Sequence, residues 1–262
     1  MPVRRALLRA TGQAIALAAV LCGCAAAPDP GGVPVLRPEV LAEVPHDTAA
    51  FTQGFEFDGD ALYEGTGLAG LSQLRELDPA TGDVRRSVPV PDGMFGEGIT
   101  VVDDRIWQLT WRDGVAIEWD KATFALRREV AVDGEGWGLC RDGDRLVRSD
   151  GTDRLRFHDP ATFAETGSVA VTRDGAPVDE LNELECVDGR VWANVWQSDE
   201  IVRIDPADGV VDAVVDATGL LPDDRRDGAD VLNGIAHAGG DEYLLTGKLW
   251  PTAFRVRLDP PG

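Results

Sequence analysis

A phrase repeated five times, and a second phrase that precedes each copy, predict an all-β fold: a five-bladed β-propeller closed by an N-terminal strand. The first phrase is an apolar run, an Asp, a turn and a strand. It reads LRELDPATGDVRRSV around Asp78, AIEWDKATFALRREV around Asp120, LRFHDPATFAETGSV around Asp159 and IVRIDPADGVVDAVV around Asp205. A fifth copy, FRVRLDP around Asp259, is cut short by the C-terminus. The spacings are 42, 39, 46 and 54 residues. The second phrase is a Gly or its equivalent, apolar residues, an acidic turn and a strand: GFEFDGDALY, GITVVDDRIW, GLCRDGDRLV, LECVDGRVWA and GIAHAGGDEYLL. Each unit therefore holds two antiparallel hairpins. About forty residues and four strands per repeat is the sequence pattern of a propeller blade.

The closing strand comes next. The fifth copy lacks its last strand, and VLRPEVLAEVPHD, residues 35–47, reads as an outer strand without a blade of its own. Pairing beside the C-terminal strand would shut the ring and remove an open sheet edge.

The N-terminus lies outside this pattern. Arg4, Arg5 and Arg9 form a basic region, and AIALAAVLCG is an apolar stretch too short to span a membrane as a mature helix. It ends in Leu21-Cys22-Gly23-Cys24, which resembles a bacterial lipoprotein signal with cleavage before Cys24 and lipidation of its sulfur. An ordinary secretory signal is the alternative, and the arginine pair leaves twin-arginine export open. The expected organisation is a signal peptide at 1–23, a flexible tether at 24–37 and the propeller at 38–262.

Composition narrows the function. Removing the first 23 residues deletes three arginines and no acid, taking the formal charge from −21 to −24. So acidic a chain is not expected to bind nucleic acid, nor anionic membrane surfaces except through the lipid anchor. The remaining ~225 residues suffice for one domain, and nothing in them calls for an oligomer; a monomer is expected. Cys140 and Cys186 fall at matching places in neighbouring repeats, as two small buried residues or as a disulfide of an exported protein. His46, His158 and His237 show no metal-ligand spacing, and no P-loop, dinucleotide fingerprint or Gly-x-Ser-x-Gly elbow is present.

The repeats serve as a ruler for the site. The residue before the opening Gly (or Leu184) of each unit is Gln53, Glu97, Trp137, Glu183 or Asn233. Innermost strands line a propeller's channel, so these five residues should ring one mouth of it. The second strands run back to the same mouth and end at Trp111, Trp196 and Lys248, while Phe51 and Phe95 stand two residues before Gln53 and Glu97. The sum is a pocket with aromatic walls, a carboxylate, an ammonium and amides, suited to a small polar ligand with an apolar body. Trp107 and Trp192, at strand interiors, read as core. Glu97 lies between Gly96 and Gly98 and is the strongest candidate for chemistry. Glu183 and Glu185 fit simple strand alternation, and Asp58, Asp104, Asp142 and Asp188 read as turn formers.

Nine motifs carry a resemblance. FTQGFEFDGDALYEGTG, FGEG, QLTW, GWGL, SDGT, LNELE, ANVW, LNGIA and TGKLWP, in that order, resemble the plant-type glutaminyl-peptide cyclotransferases, from about His46 to Val256. The resemblance implies a five-bladed propeller and conversion of N-terminal glutaminyl residues to pyroglutamate with release of ammonia. It implies no zinc, unlike the animal-type enzyme, and no cofactor for catalysis. A structural calcium occurs in some members, and no ligands for it can be assigned in this sequence. By motif match it implies Glu97, Lys248, Asn182 and Gln53 as catalytic residues and Phe51, Phe95, Trp111, Trp137 and Trp196 as substrate-binding residues. The partners implied are peptides or proteins with N-terminal Gln. The competing reading is an exported propeller that binds peptide N-termini, or another small ligand, without reaction. A metal- or quinone-dependent propeller enzyme would need His and carboxylate clusters that are not seen.

Overall fold

The computed structural model describes residues 1–2, 32–91 and 93–259. Cys24 and the rest of the predicted signal lie outside the described residues. From Val33 on, the chain forms one compact unit, and its described residues build strands with a single turn of 3₁₀ helix at Asp223–Arg225.

The strand β1 (Val35–Pro45) comes first and starts inside the segment read as a tether. Each copy of the repeat then makes an antiparallel sheet in chain order. The first is β2 (Thr52–Asp58), β3 (Ala61–Thr66), β4 (Gln73–Leu77) and β5 (Val84–Pro89); the second is β6 (Gly96–Val102), β7 (Arg105–Thr110), β8 (Val115–Asp120) and β9 (Leu126–Ala131). The third is β10 (Leu139–Asp142), β11 (Arg145–Arg148), β12 (Arg154–His158) and β13 (Glu165–Ala170), followed by a small hairpin of β14 (Thr172–Arg173) and β15 (Ala176–Pro177). The fourth is β16 (Leu181–Val187), β17 (Arg190–Val195), β18 (Glu200–Ile204) and β19 (Val211–Asp216). The fifth has three strands of its own, β20 (Leu232–Gly239), β21 (Glu242–Gly247) and β22 (Thr252–Asp259).

β1 supplies what the fifth copy lacks. It pairs antiparallel with β22, from Arg37 opposite Asp259 to Pro45 opposite Thr252. Its first residues also pair parallel with β19, Val35 with Val214 and Leu36 with Val215. The fourth and fifth units thereby merge into one eight-stranded sheet, β16-β17-β18-β19-β1-β22-β21-β20. The expectation of an N-terminal strand beside the C-terminal one holds, and its reach across to β19 is additional. Leu36 and Val44 anchor β1 in two core clusters, the first with Phe254 and Val256 and the second with Leu244 and Ala253.

The repeated Asp has a local cause. Asp78, Asp159 and Asp205 accept, through Oδ1, the backbone N–H two residues on, and Asp120 the one three residues on. These side chains close the turn between third and fourth strands. Between first and second strands every hairpin has a two-residue turn whose first residue is left-handed: Gly59, Asp103, Gly143, Asp188 and Gly240. Only Gly, or Asp and Asn, enter that region readily, so the acidic phrase recurs.

The first strands close into a ring: β2 neighbours β6, β6 neighbours β10, β10 neighbours β16, β16 neighbours β20, and β20 neighbours β2. Their backbones approach closely. A Cβ on Gly98 would stand 2.6 Å from the Trp137 carbonyl oxygen, and one on Gly138 would stand 2.1 Å from that of Asn182. The inward edges need hydrogen-bond partners, and buried carboxylates supply several. Glu56 accepts from the N–H of Val101, Glu183 from those of Phe55 and Ile235, and Glu185 from that of His237. Each bond ties one unit to another, and burial pushes all three carboxyls up, Glu56 to about 8.

Cys140 on β10 and Cys186 on β16 form a disulfide across 46 residues of sequence, with Cα atoms 5.5 Å apart. It links the first strands of the third and fourth units. Chain-entropy arguments give a loop of this length about 4 kcal/mol of stabilisation. Reduction, or Cys140→Ala with Cys186→Ala, is therefore expected to lower the melting temperature by about 10 °C. An unchanged Tm in scanning calorimetry would remove the bond from the stability account.

Candidate active site

All nine side chains predicted for the site line one cavity of about 410 Å³, with Gln197, Asp230 and Val231 completing it. Gln53, Glu97 and Asn182 project from β2, β6 and β16. Trp111, Trp196 and Lys248 follow immediately after β7, β17 and β21, where those strands return to the same mouth. Phe51, Phe95 and Trp137 precede β2, β6 and β10. Trp107 and Trp192 are buried in the core.

The predicted ring of five is corrected at two places. Glu183 and Asn233 do not line the cavity. Glu183 turns to the backbone of β2 and β20, and Asn233 lies behind Gln53, donating to its side-chain oxygen and to the Thr52 carbonyl. For Glu183 the cause is a bulge in the first strands. Gly96 pairs with Thr110 and Ile99 with Gln108, so Glu97 and Gly98 fall within the shift. In β16 the shift lies between Leu181 and Leu184, so it takes in Asn182 and Glu183. By register Asn182, not Glu183, is the counterpart of Glu97.

The walls form an arc. The Lys248 ammonium stands 5.0 Å from the Phe51 ring centre. Phe51 meets Phe95 edge-on at 6.1 Å, and Phe95 meets Trp111 at 5.6 Å. Trp137 meets Trp196 edge-on at 5.6 Å. Gly151, left-handed, lies against the Trp137 ring, where a Cβ would come within 2.6 Å of it; the SDGT motif thus backs a pocket wall.

The floor is polar and buried. Glu97 and Lys248 are each 4% exposed. Gln53 donates its amide N–H to Glu97 Oε1 at 3.1 Å, and Asn233 in turn donates to Gln53. Glu97 Oε2 and Asn182 Oδ1 are buried without a hydrogen-bond partner. Burial pushes the Glu97 carboxyl well up; the Lys248 charge opposes this and the charge of Glu135 adds to it. Burial likewise lowers Lys248, opposed by Glu97 and Asp230. The result is an acid–base group with one oxygen fixed and one free, near an ammonium in a low-dielectric cleft.

The three histidines are engaged elsewhere. His46 bonds Glu64 and the Trp250 carbonyl, His158 bonds Arg148 and the Phe163 carbonyl, and His237 bonds the Gly240 carbonyl. Among the described residues no group of three or more His, Cys, Asp or Glu is arranged to hold a metal ion. Glu56, Glu183 and Glu185 accept from backbone N–H groups of neighbouring units.

Comparison with known proteins gives the family. The model of the family described as glutamine cyclotransferase matches residues 14–258. The chain belongs to the glutamine cyclotransferase family. It is 41% identical over 227 residues to the glutaminyl-peptide cyclotransferase of Arabidopsis thaliana, covering 84% of this chain and 71% of that one. The crystal structure of Myxococcus xanthus glutaminyl cyclase superposes with a TM-score of 0.81 at 38% identity, covering 87% of this chain and 99% of that one. Within the family assignment, one residue that sequence reasoning passed over stands out. Glu135 precedes Trp137 in Gly134-Glu135-Gly136 and bonds both Trp111 and Trp137. Its flanking glycines, like those of Glu97, were the available signal.

Proposed function

We propose that this chain is a five-bladed propeller that cyclises N-terminal glutaminyl residues to pyroglutamate with release of ammonia, using side chains alone for the chemistry. The closed ring of five first strands supports the blade count. The observation that carries the reaction is Glu97, whose Oε1 is held by Gln53 and whose Oε2 is buried and unpartnered in an aromatic cavity.

The substrate's neutral α-amine attacks the carbon of its own γ-carboxamide. A C–N bond forms, the amine loses a proton to Glu97, and the carbonyl oxygen becomes an oxyanion. Collapse breaks the bond to the amide nitrogen, which takes the proton from Glu97 and leaves as ammonia. A carboxyl with a raised pKa serves both directions. Holding the arm folded between Phe95, Trp111, Trp137 and Trp196 gains the advantage of an intramolecular near-attack conformer. Gln53 is spent on orienting Glu97, so the oxyanion falls to Lys248. Asn182 Oδ1 is free to accept a substrate N–H.

The disulfide supports export to an oxidising compartment. The reading includes a lipid anchor at Cys24 and a monomer. A short Gln-initiated peptide should release one ammonia per chain, while its N-acetylated form should release none. Equal reaction of both would contradict attack by the α-amine, and no reaction of either would favour a binding propeller.

A further inference from the structure

We infer that Glu135 is a positioning residue for this reaction: one carboxylate oxygen aligns the two tryptophan walls that no ring contact joins. This rests on the reading that the cavity folds a glutaminyl arm between those walls. Along the arc from Lys248 to Trp196 each aromatic group touches the next except at one gap, between Trp111 and Trp137. Glu135 Oε2 fills that gap. It accepts the indole N–H of Trp111 at 2.8 Å and that of Trp137 at 3.0 Å.

The carboxylate is itself held. Arg112 donates its Nε–H to Glu135 Oε1 at 2.7 Å, and its guanidinium lies 3.9 Å over the Trp111 ring. The four side chains form a clamp in which Arg112 fixes Glu135 and Glu135 fixes both indoles. Burial acts to raise its carboxyl, but the bonds from Trp137, Arg112 and Trp111 outweigh this and keep it ionised. Hydrogen bonds to a charged acceptor are the strong kind.

The clamp reaches the chemistry in a second way. Two charged groups bear on Glu97: Lys248 after β21, itself influenced by Asp230, favours its carboxylate, and Glu135 before β10 disfavours it. Gln53 faces it from β2 without charge. Glu135 thus helps keep Glu97 in the range where it can take a proton and return it.

The two effects separate with two variants. Glu135→Gln keeps an oxygen that can accept both indole N–H groups but removes the charge. It is expected to hold KM within about threefold while the acidic limb of kcat/KM moves to lower pH, because Glu97 then ionises more easily. Glu135→Ala loses the bonds as well. It is expected to raise KM about tenfold, the loss of roughly one charge-assisted hydrogen bond's worth of ordering. A readout free of activity is the indole N–H region of the ¹H–¹⁵N NMR spectrum. Of the seven tryptophans, Trp111 and Trp137 should shift and exchange faster in Glu135→Ala, the other five staying in place. Melting curves show whether each variant is folded; if Glu135→Ala is not, the Gln variant's pH limb decides. Unshifted indole signals, or an unchanged KM beside shifted signals, would overturn the proposal. Indole shifts in Glu135→Ala beside a wild-type protein that releases no ammonia would instead overturn the functional reading beneath it.

Discussion

Glu97→Gln is expected to lower kcat about 10²–10⁴-fold, the usual contribution of a positioned acid–base group, with KM changed far less. The substitution is nearly isosteric. Its amide oxygen can still accept from Gln53, and the aromatic walls are untouched, so substrate should still bind. What disappears is the free oxygen that takes the amine's proton. The melting temperature should stay within a few degrees of wild type, since the amide keeps the bond from Gln53 and no longer carries the cost of a buried carboxyl. The wild-type pH profile carries the same signature. Glu97 has to be a carboxylate to act as base, and its pKa is raised, so activity should rise with pH above the ordinary carboxylate range. On the alkaline side Lys248 has to keep its proton, and its pKa is lowered, so the fall should begin below the ordinary lysine range. Near-normal turnover by Glu97→Gln would end the shuttle assignment.

Removing β1 is expected to unfold the domain. Deleting residues 33–45 strips the partner of β22 along its whole length and the parallel contact to β19. It exposes an open sheet edge, a template for aggregation, and takes Leu36 and Val44 out of two core clusters. The loss should reach at least about 5 kcal/mol, comparable with the whole net stability of a domain. The anchor does not stop at Pro45. His46 bonds Glu64 and the Trp250 carbonyl, and Glu64 also accepts from Thr52. Val44→Asp tests the same closure without deletion, because it places a carboxylate in a buried apolar site. Thermal unfolding followed by circular dichroism reads both. A truncated protein with an unchanged Tm would show that the ring closes without its N-terminal strand.

The fold was legible because its units are solved locally. Four units need an Asp to close the turn between third and fourth strands, and all five need a left-handed residue in the first hairpin, so the same letters recur. The closing strand was legible for the complementary reason, a unit short of a strand and a strand without a unit. The site was legible where strand ends could be counted, which brought Trp111, Trp196 and Lys248 to one cavity. Counting failed at β16. There the bulge takes in Asn182 and Glu183, and no repeat of letters shows which of the two faces inward; the family motif, not the ruler, pointed to Asn182. The disulfide depended on a distance between neighbouring strands that spacing does not give. Glu135 stands two residues before Trp137, where Phe51 and Phe95 stand before Gln53 and Glu97, so the repeat led to an aromatic residue at that place and not to a carboxylate.

The measurement that tests the central claim most directly is ammonia release from a Gln-initiated peptide in the presence of EDTA, with wild-type protein and Glu97→Gln side by side. The account predicts release by the wild type that EDTA does not diminish, and almost none by the folded variant. Release that EDTA abolishes, or that the variant retains, would contradict it.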